Sequence, residues 1–440
     1  MVCRSFLLLA GILALAACTE GEPSPPPIQY YVPGNITAGS TAPITPPPPA
    51  GGNPAIPAPA APGTPPPAGP HVALLAPVTG ANAERGQALV QAAQLALSAP
   101  GSPVLDVRDT LSTPEGAAAA AKAAIAGGDQ LILGPLTAAE TAAVAPIARP
   151  AGIAVLAFTN DPAQAQPGVW TLGITPVQQV RRMVGAVMAQ GKTRFAAMLP
   201  PGEFGSAMGS ALTQVLATAG APPPVIQVND GTDHNISETL RDLSGYAERR
   251  APIEAKIRAA KALHTAAGRK EAAELARQGV APAPFDALLL ADTGGKLAWA
   301  SSFLGYYDIS PSEVRILGPS LWSVPAMRAG ADLNGAWYAA PDPAARTAFE
   351  QDFQAKYSAA APGIADFAYD AAAIARVQAQ APGGFTAAAL CRPDGFAGVD
   401  GVLALQPDGT VRRGLAVFEI QPSGPVIIDP APTTLASPGI

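Results

Sequence analysis

Histidine is almost missing from this chain of 440 residues: His71, His234 and His264 are all it has. Metal sites and acid–base catalysis lean on imidazole, so neither is favoured. No H-E-x-x-H, P-loop or G-x-S-x-G pattern occurs. Gly205-Ser206-Ala207-Met208-Gly209 holds its serine one place too early. With no paired-carboxylate motif either, the chain is expected to be no enzyme, to need no cofactor and to hold no metal. Cysteine is equally scarce. Cys3 and Cys18 sit at the extreme N-terminus, which leaves Cys391 alone and excludes an internal disulfide. Lacking an obvious imidazole partner, Cys391 reads as a buried structural thiol. Charged residues make up only 14% of the chain, with a formal net charge of −6, which argues against a nucleic-acid partner. Beyond the N-terminus no apolar run approaches 18 residues unbroken, so no membrane-spanning segment is expected there.

Proline, by contrast, is abundant: 50 residues, 18 of them between Glu22 and Pro70. Glu22 is the only charged residue in that window. Runs such as "TPPPPA" cannot build a helix or an inner strand. They read as a semi-rigid tether of polyproline II character, able to reach roughly 150 Å if fully extended. Ahead of it, Arg4 precedes "SFLLLAGILALAAC". This is a positive n-region followed by an apolar core too short to cross a bilayer, which takes about 20 helical residues. It reads as a signal peptide over 1–17. Leu15-Ala16-Ala17-Cys18 resembles the lipobox of bacterial lipoproteins, which makes Cys18 the expected lipidation site and 18–70 a lipid-anchored tether. By the same resemblance Thr19, where Asp would favour the inner membrane, implies an outer-membrane anchor facing the periplasm.

From His71 onward strands and helices alternate. "VALLA" (72–76), "VLDV" (104–107), "QLILG" (130–134) and "IAVLAF" (153–158) are short apolar strands. Between them lie helices with start signals, such as Thr113-Pro114-Glu115 and Thr137. A second series begins at the capping-box pattern Thr175-Pro176-Val177-Gln178. It runs through strands near 194–199, 225–228, 287–291, 314–318 and 336–340. Helices at 343–359 and 364–380 precede "GVLALQPDGTVRRGLAVFEI" (401–420), a hairpin turned by Pro407-Asp408-Gly409. This order predicts parallel sheets covered by helices, and about 350 folded residues predict two α/β lobes.

"VALLAPVTGANAERGQALVQAAQLAL", "LILGPLTAAETAAVAPIA" with "GIAVLAFTND", "FAYDAAAIA" and the "GVLALQPDG" hairpin together resemble type I periplasmic binding proteins. More narrowly, they resemble the leucine-binding-like group and the bacterial penicillin-binding protein activators built on the same fold. The resemblance spans most of 71–420. It implies two Rossmann-like lobes with parallel sheets joined by three crossovers, with a ligand cleft between them. Lobe one would be 71–175 and 341–385, lobe two 176–340 and 386–425, and 426–440 a flexible tail.

Ligands of open α/β sheets lie beyond the carboxyl ends of strands. By the resemblance, the candidate cleft residues are Thr79, Gly80, Thr137, Thr159 and Asn160 in lobe one, and Phe204 and Asp292 in lobe two. Thr137 and Thr159 would hold a ligand carboxylate at helix N-termini. Asp292 would meet an ammonium, and Phe204 would close the cleft. Each has a second reading: Thr137, Thr159 and Asp292 as helix caps, Gly80 as turn geometry, Phe204 as packing. One segment departs from the transport pattern. Residues 231–280 hold the chain's densest charge, expected as a helical insertion of about 236–278 on lobe two. It is either a solvated face or a partner-docking protrusion, and in the second case deleting 240–275 should leave the fold intact.

Two functions follow from the resemblance. One is an activator of a penicillin-binding protein, its partner a bifunctional peptidoglycan synthase. The other is the solute-binding lipoprotein of an ABC importer, its partners an ABC permease and a branched-chain or other small amino acid.

Overall fold

The computed structural model describes residues 69–435, all within one compact unit, Pro57–Ile440. The signal segment 1–17, Cys18 and nearly all of the 18–70 tether lie outside the described residues. Among the described residues no helix is long and apolar enough to cross a membrane.

Lobe one is a five-stranded parallel sheet of β1 (His71–Ala76), β2 (Val104–Asp109), β3 (Leu131–Leu133), β4 (Ala154–Ala157) and β5 (Val169–Thr171), in the order β2-β1-β3-β4-β5. Between the strands run α1 (Ala83–Ala96), α2 (Pro114–Gly127) and α3 (Ala138–Ala148). The sequence signals that start these helices act as expected. Thr113 accepts from the Gly116 amide with Pro114 at the first helical position, and Gly128 ends α2 in the left-handed region at φ 86°. Alanine dominates the face where α2 and α3 meet the sheet: Ala117, Ala121, Ala124, Ala145 and Ala148 are all buried. Small side chains let these helices lie close to the strands.

Lobe two holds α4 (Pro176–Met188), β6 (Phe195–Leu199), α5 (Glu203–Thr218), β7 (Val225–Val228), α6 (Asp233–Leu243), α7 (Tyr246–Ala262), α8 (Ala266–Ala276), β8 (Ala287–Leu290), α9 (Gly294–Tyr306), β9 (Arg315–Gly318) and β10 (Trp337–Ala340). The chain then supplies α10 (Pro343–Tyr357) and α11 (Ala365–Ala379), which pack on α1 of lobe one. A small antiparallel sheet follows, made of β11 (Phe396–Gly398), β12 (Gly401–Leu405) and β13 (Val411–Arg413). Finally β14 (Ala416–Gln421) and β15 (Gly424–Asp429) complete the lobe-two sheet, ordered β15-β14-β10-β9-β8-β6-β7. The lobes are joined at 172–175, 341–342 and 414–415.

Three expected boundaries move. Residues 386–413 side with lobe one, because Leu390, Phe396, Leu403 and Val411 are buried in the same core as Leu74, Leu89 and Phe349. Only the part from β14 onward belongs to lobe two. Residues 424–429, read partly as tail, are an edge strand paired antiparallel with β14. The 236–278 segment also divides. Ile236, Leu240 and Leu243 of α6 are buried in the lobe-two core, whereas α7 and α8 close on a separate small cluster of Ile253, Ile257, Ala260 and Ala272. A deletion of 240–275 would therefore cut into the lobe itself; the appended part is the α7–α8 hairpin.

The crossovers meet at a buried ionic cluster. Arg413 and Asp370 have fully buried side chains 3.5 Å apart. Arg413 Nη2 donates to the Leu172 carbonyl at 2.8 Å and Nη1 to the Asp400 carbonyl at 3.4 Å. Asp370 Oδ1 accepts from the Val399 amide at 2.7 Å. Arg346 Nε donates to Asp366 at 2.7 Å, and Asp366 and Asp400 are close enough for their charges to interact. One arginine thus ties β13 to the first crossover and to α11. Removing one partner of a buried pair strands the other charge, which costs about 3–5 kcal/mol. Arg413→Leu is expected to destabilise the fold by about that much, measured as a shift in urea midpoint at unchanged slope.

Candidate functional site

The carboxyl ends of β3 and β4 open onto a cavity of about 490 Å³. Its lining includes Arg85, Thr137, Phe158, Thr159, Asn160 and Phe367. Three of the expected cleft residues, Thr137, Thr159 and Asn160, are therefore brought together.

They are not equally free to act. Thr137 closes a complete capping box: its hydroxyl accepts from the Glu140 amide at 3.2 Å and donates to the Glu140 carboxylate at 2.8 Å. The buried Glu140 is held in turn by the Thr110 hydroxyl at 2.6 Å. Capping thus occupies the hydroxyl proton of Thr137, and its amide donates to the same carboxylate at 2.9 Å. Thr159 accepts from the Asp161 amide at 3.1 Å, which leaves its own proton available. Asn160 is exposed at the rim, as is Arg85, whose guanidinium reaches Asn82 at 3.0 Å and keeps other donors open. The groups left free at this end include three that donate: a hydroxyl, an amide and a guanidinium. The carboxylate of Asp161 also lines the cavity, and it is engaged by the Ala163 amide and the Gln164 side chain. Such a set suits the anionic end of a small ligand, set against the apolar walls of Phe158 and Phe367.

The remaining candidates lie elsewhere. Thr79 donates through its amide and hydroxyl to Asp109 at 3.1 and 2.6 Å, which holds the β1–α1 turn against the end of β2. Gly80 has φ 87°, and a Cβ there would lie 2.7 Å from the Leu111 carbonyl oxygen, so the turn itself requires glycine. Phe204 stands on the first turn of α5 and is 38% exposed. Asp292 is buried behind the end of β8, where its carboxylate accepts from Asn229 Nδ2 at 3.2 Å. Burial pushes its carboxyl above the usual carboxylate range, against the Asn229 hydrogen bond and the Lys296 charge. Neither Phe204 nor Asp292 lines the cavity, whose walls come from lobe one and the crossovers. Arg85 lies in the first turn of α1, and its place at the cleft rim follows from the turn that starts that helix.

Cys391 is half-buried rather than fully buried, and burial pushes its thiol up, which disfavours the thiolate. It lines a second cavity of about 540 Å³ with Arg149 and Trp170, at the amino ends of β4 and β5 and away from the cleft.

A family model described as periplasmic binding protein matches residues 70–425. The chain belongs to that family. Among solved structures, a branched-chain amino acid ABC transporter protein from Rhodospirillum rubrum is 19% identical, with a TM-score of 0.60 over 82% of this chain and 100% of that one. The C-domain of LpoA from Haemophilus influenzae, described as a regulator of PBP1A, is 16% identical, with a TM-score of 0.58 over 81% of this chain and 99% of that one. Full-length LpoA from the same organism gives 15% and 0.59, covering 82% of this chain and 59% of that one. At these identities the likeness shows the fold alone. No curated protein matches the chain.

The assignment of Thr137 as a cap has a direct check. Thr137→Ala removes the capping box and should cost about 0.5–2 kcal/mol in denaturant unfolding. A loss near zero would return the hydroxyl to the ligand.

Proposed function

We propose that this protein is an envelope regulator that activates a penicillin-binding protein, a bifunctional peptidoglycan synthase, through contact between the proteins. The observation that carries the reading is the one-sided cavity. Lobe one presents donors, but the lobe-two acid suited to an amino-acid ammonium, Asp292, is buried and engaged by Asn229. A transport receptor needs both lobes to grip its cargo. A regulator needs only the scaffold and a surface, and the α7–α8 hairpin adds surface to lobe two. The fold of LpoA, described as a regulator of PBP1A, agrees with this use. A lipid on Cys18 and the Pro-rich tether would let the folded part work away from an outer membrane, facing the periplasm.

The donor set of Arg85, Thr159 and Asn160 favours a second reading, the solute-binding lipoprotein of an ABC importer for branched-chain or other amino acids. The readings part on one experiment. A form beginning at Gly69 is melted against a panel of amino acids. A true ligand at a hundredfold its Kd adds about 2.7 kcal/mol of stability, an easily read shift. The regulator reading expects no saturable shift, together with faster glycan synthesis when the protein is added to the synthase. A saturable shift with no stimulation would establish the importer instead.

A further inference from the structure

We propose that the tip of the α7–α8 hairpin is a docking surface for an anionic phospholipid bilayer. The basis is the distribution of charge along the hairpin. Between residues 255 and 270 stand Lys256, Arg258, Lys261, Arg269 and Lys270, with no Asp or Glu among them, in a chain whose net charge is −6. All five are exposed. Only Lys270 has an acid within reach, Glu274 at 4.0 Å, and that pair is open to solvent. The arginines at the base of the hairpin behave differently. Arg249 donates to the carbonyls of Ser244, Ala281, Tyr307 and Asp308, and Arg250 to those of Ala276 and Gln278 and to Glu254. Basic side chains at the base thus fix the hairpin to the lobe, while those toward the tip have no structural task.

The tip is also closely packed. A Cβ on Gly268 would lie 2.4 Å from the Ala260 carbonyl oxygen, so glycine lets the two helices close tightly above Ile253, Ile257 and Ala272. At the turn between α7 and α8 Leu263 is 60% exposed, an apolar side chain with Lys261 before it and Arg269 and Lys270 after it in the chain. Lys256, the cation farthest from Leu263 along α7, is about 10 Å away along the axis, one Debye length in ordinary salt. Set against the one exposed acid at the same depth, Glu271, the five cations leave the tip with an excess of positive charge. A convex apex with one apolar side chain and flanking cations matches a headgroup plane: the cations lie among the phosphates and Leu263 enters the acyl boundary.

The test is co-sedimentation of a form beginning at Gly69 with phosphatidylcholine vesicles made with and without phosphatidylglycerol. Binding is expected only with phosphatidylglycerol and should fall steeply with added salt. Replacing Lys256, Lys261 and Arg269 together by Gln should lower the partition coefficient roughly 100-fold. Its melting temperature should not move, since none of the three carries a structural contact. Leu263→Ser should weaken binding at high salt, where the charge contribution is screened. No binding of the unmodified protein, equal binding to neutral vesicles, or equal binding of the triple variant would each overturn the proposal. So would a triple variant that loses only synthase stimulation while neither protein binds vesicles, which would assign the tip to an acidic protein face.

Discussion

The contact on which the rest of this structure depends is the buried guanidinium of Arg413. It joins the last strand of the small sheet to the first crossover at Leu172, and through Asp370 to α11. Two-lobed α/β proteins face a general difficulty: each lobe has its own core, and only a few strands of chain link them. Here the link is built from charge and hydrogen bonds in a place without water-facing surface. Gln178 and Arg182 of α4 extend it by donating to the Val411 and Leu415 carbonyls. The end of lobe one and the start of lobe two are thereby held against the same short stretch of backbone.

That anchoring shapes the cleft. The cavity beside Thr159 and Asn160 is walled by lobe one and by crossover residues, so its form does not need lobe two to complete it. Lobe two, in turn, keeps Asp292 turned inward to Asn229 and carries an appended hairpin with its own apolar core. The cavity thus lies on the lobe-one side of the molecule and the added surface of the α7–α8 hairpin on lobe two.

Much of this was legible in the sequence, for reasons that are local. The strands of both sheets stand out as apolar runs because parallel strands are buried on both faces. Helix starts at Thr113, Thr137 and Thr175 are legible because capping is a contact over three residues. What escaped depends on distant contacts. β5 has three residues, too few to show a period. The allegiance of the small sheet to lobe one rests on Phe396 and Val411 meeting side chains some 300 positions earlier in the chain. Asp292 ends a strand, as a ligand acid should, but its pairing with Asn229 is invisible without the fold. The buried cluster leaves a trace in the sequence: Asp366 and Asp370, one helical turn apart, stand on a mostly apolar helix face.

The cluster has three carboxyl groups, Asp366, Asp370 and Asp400, against two guanidiniums, Arg346 and Arg413. One proton is therefore needed for neutrality, and burial supplies the drive. Burial pushes Asp370 up to about 7 against the pull of Arg413, with Asp400 adding to the rise. It pushes Asp366 to about 7 against Arg346, and it raises Asp400 as well. In the unfolded chain these groups titrate near 3.9. Between the two values the folded state binds more protons, so its stability is fully present near pH 4 and is lost as pH rises through 7. Asp129, also raised to about 7 by burial, adds to the same slope from outside the cluster. The most direct measurement is the unfolding free energy between pH 5 and pH 8, for the protein and for Asp370→Asn. Protonation of the buried cluster predicts stability that falls with pH and a clearly shallower fall in the variant. A stability that is flat or rises over that range, or an unchanged slope in Asp370→Asn, would contradict it.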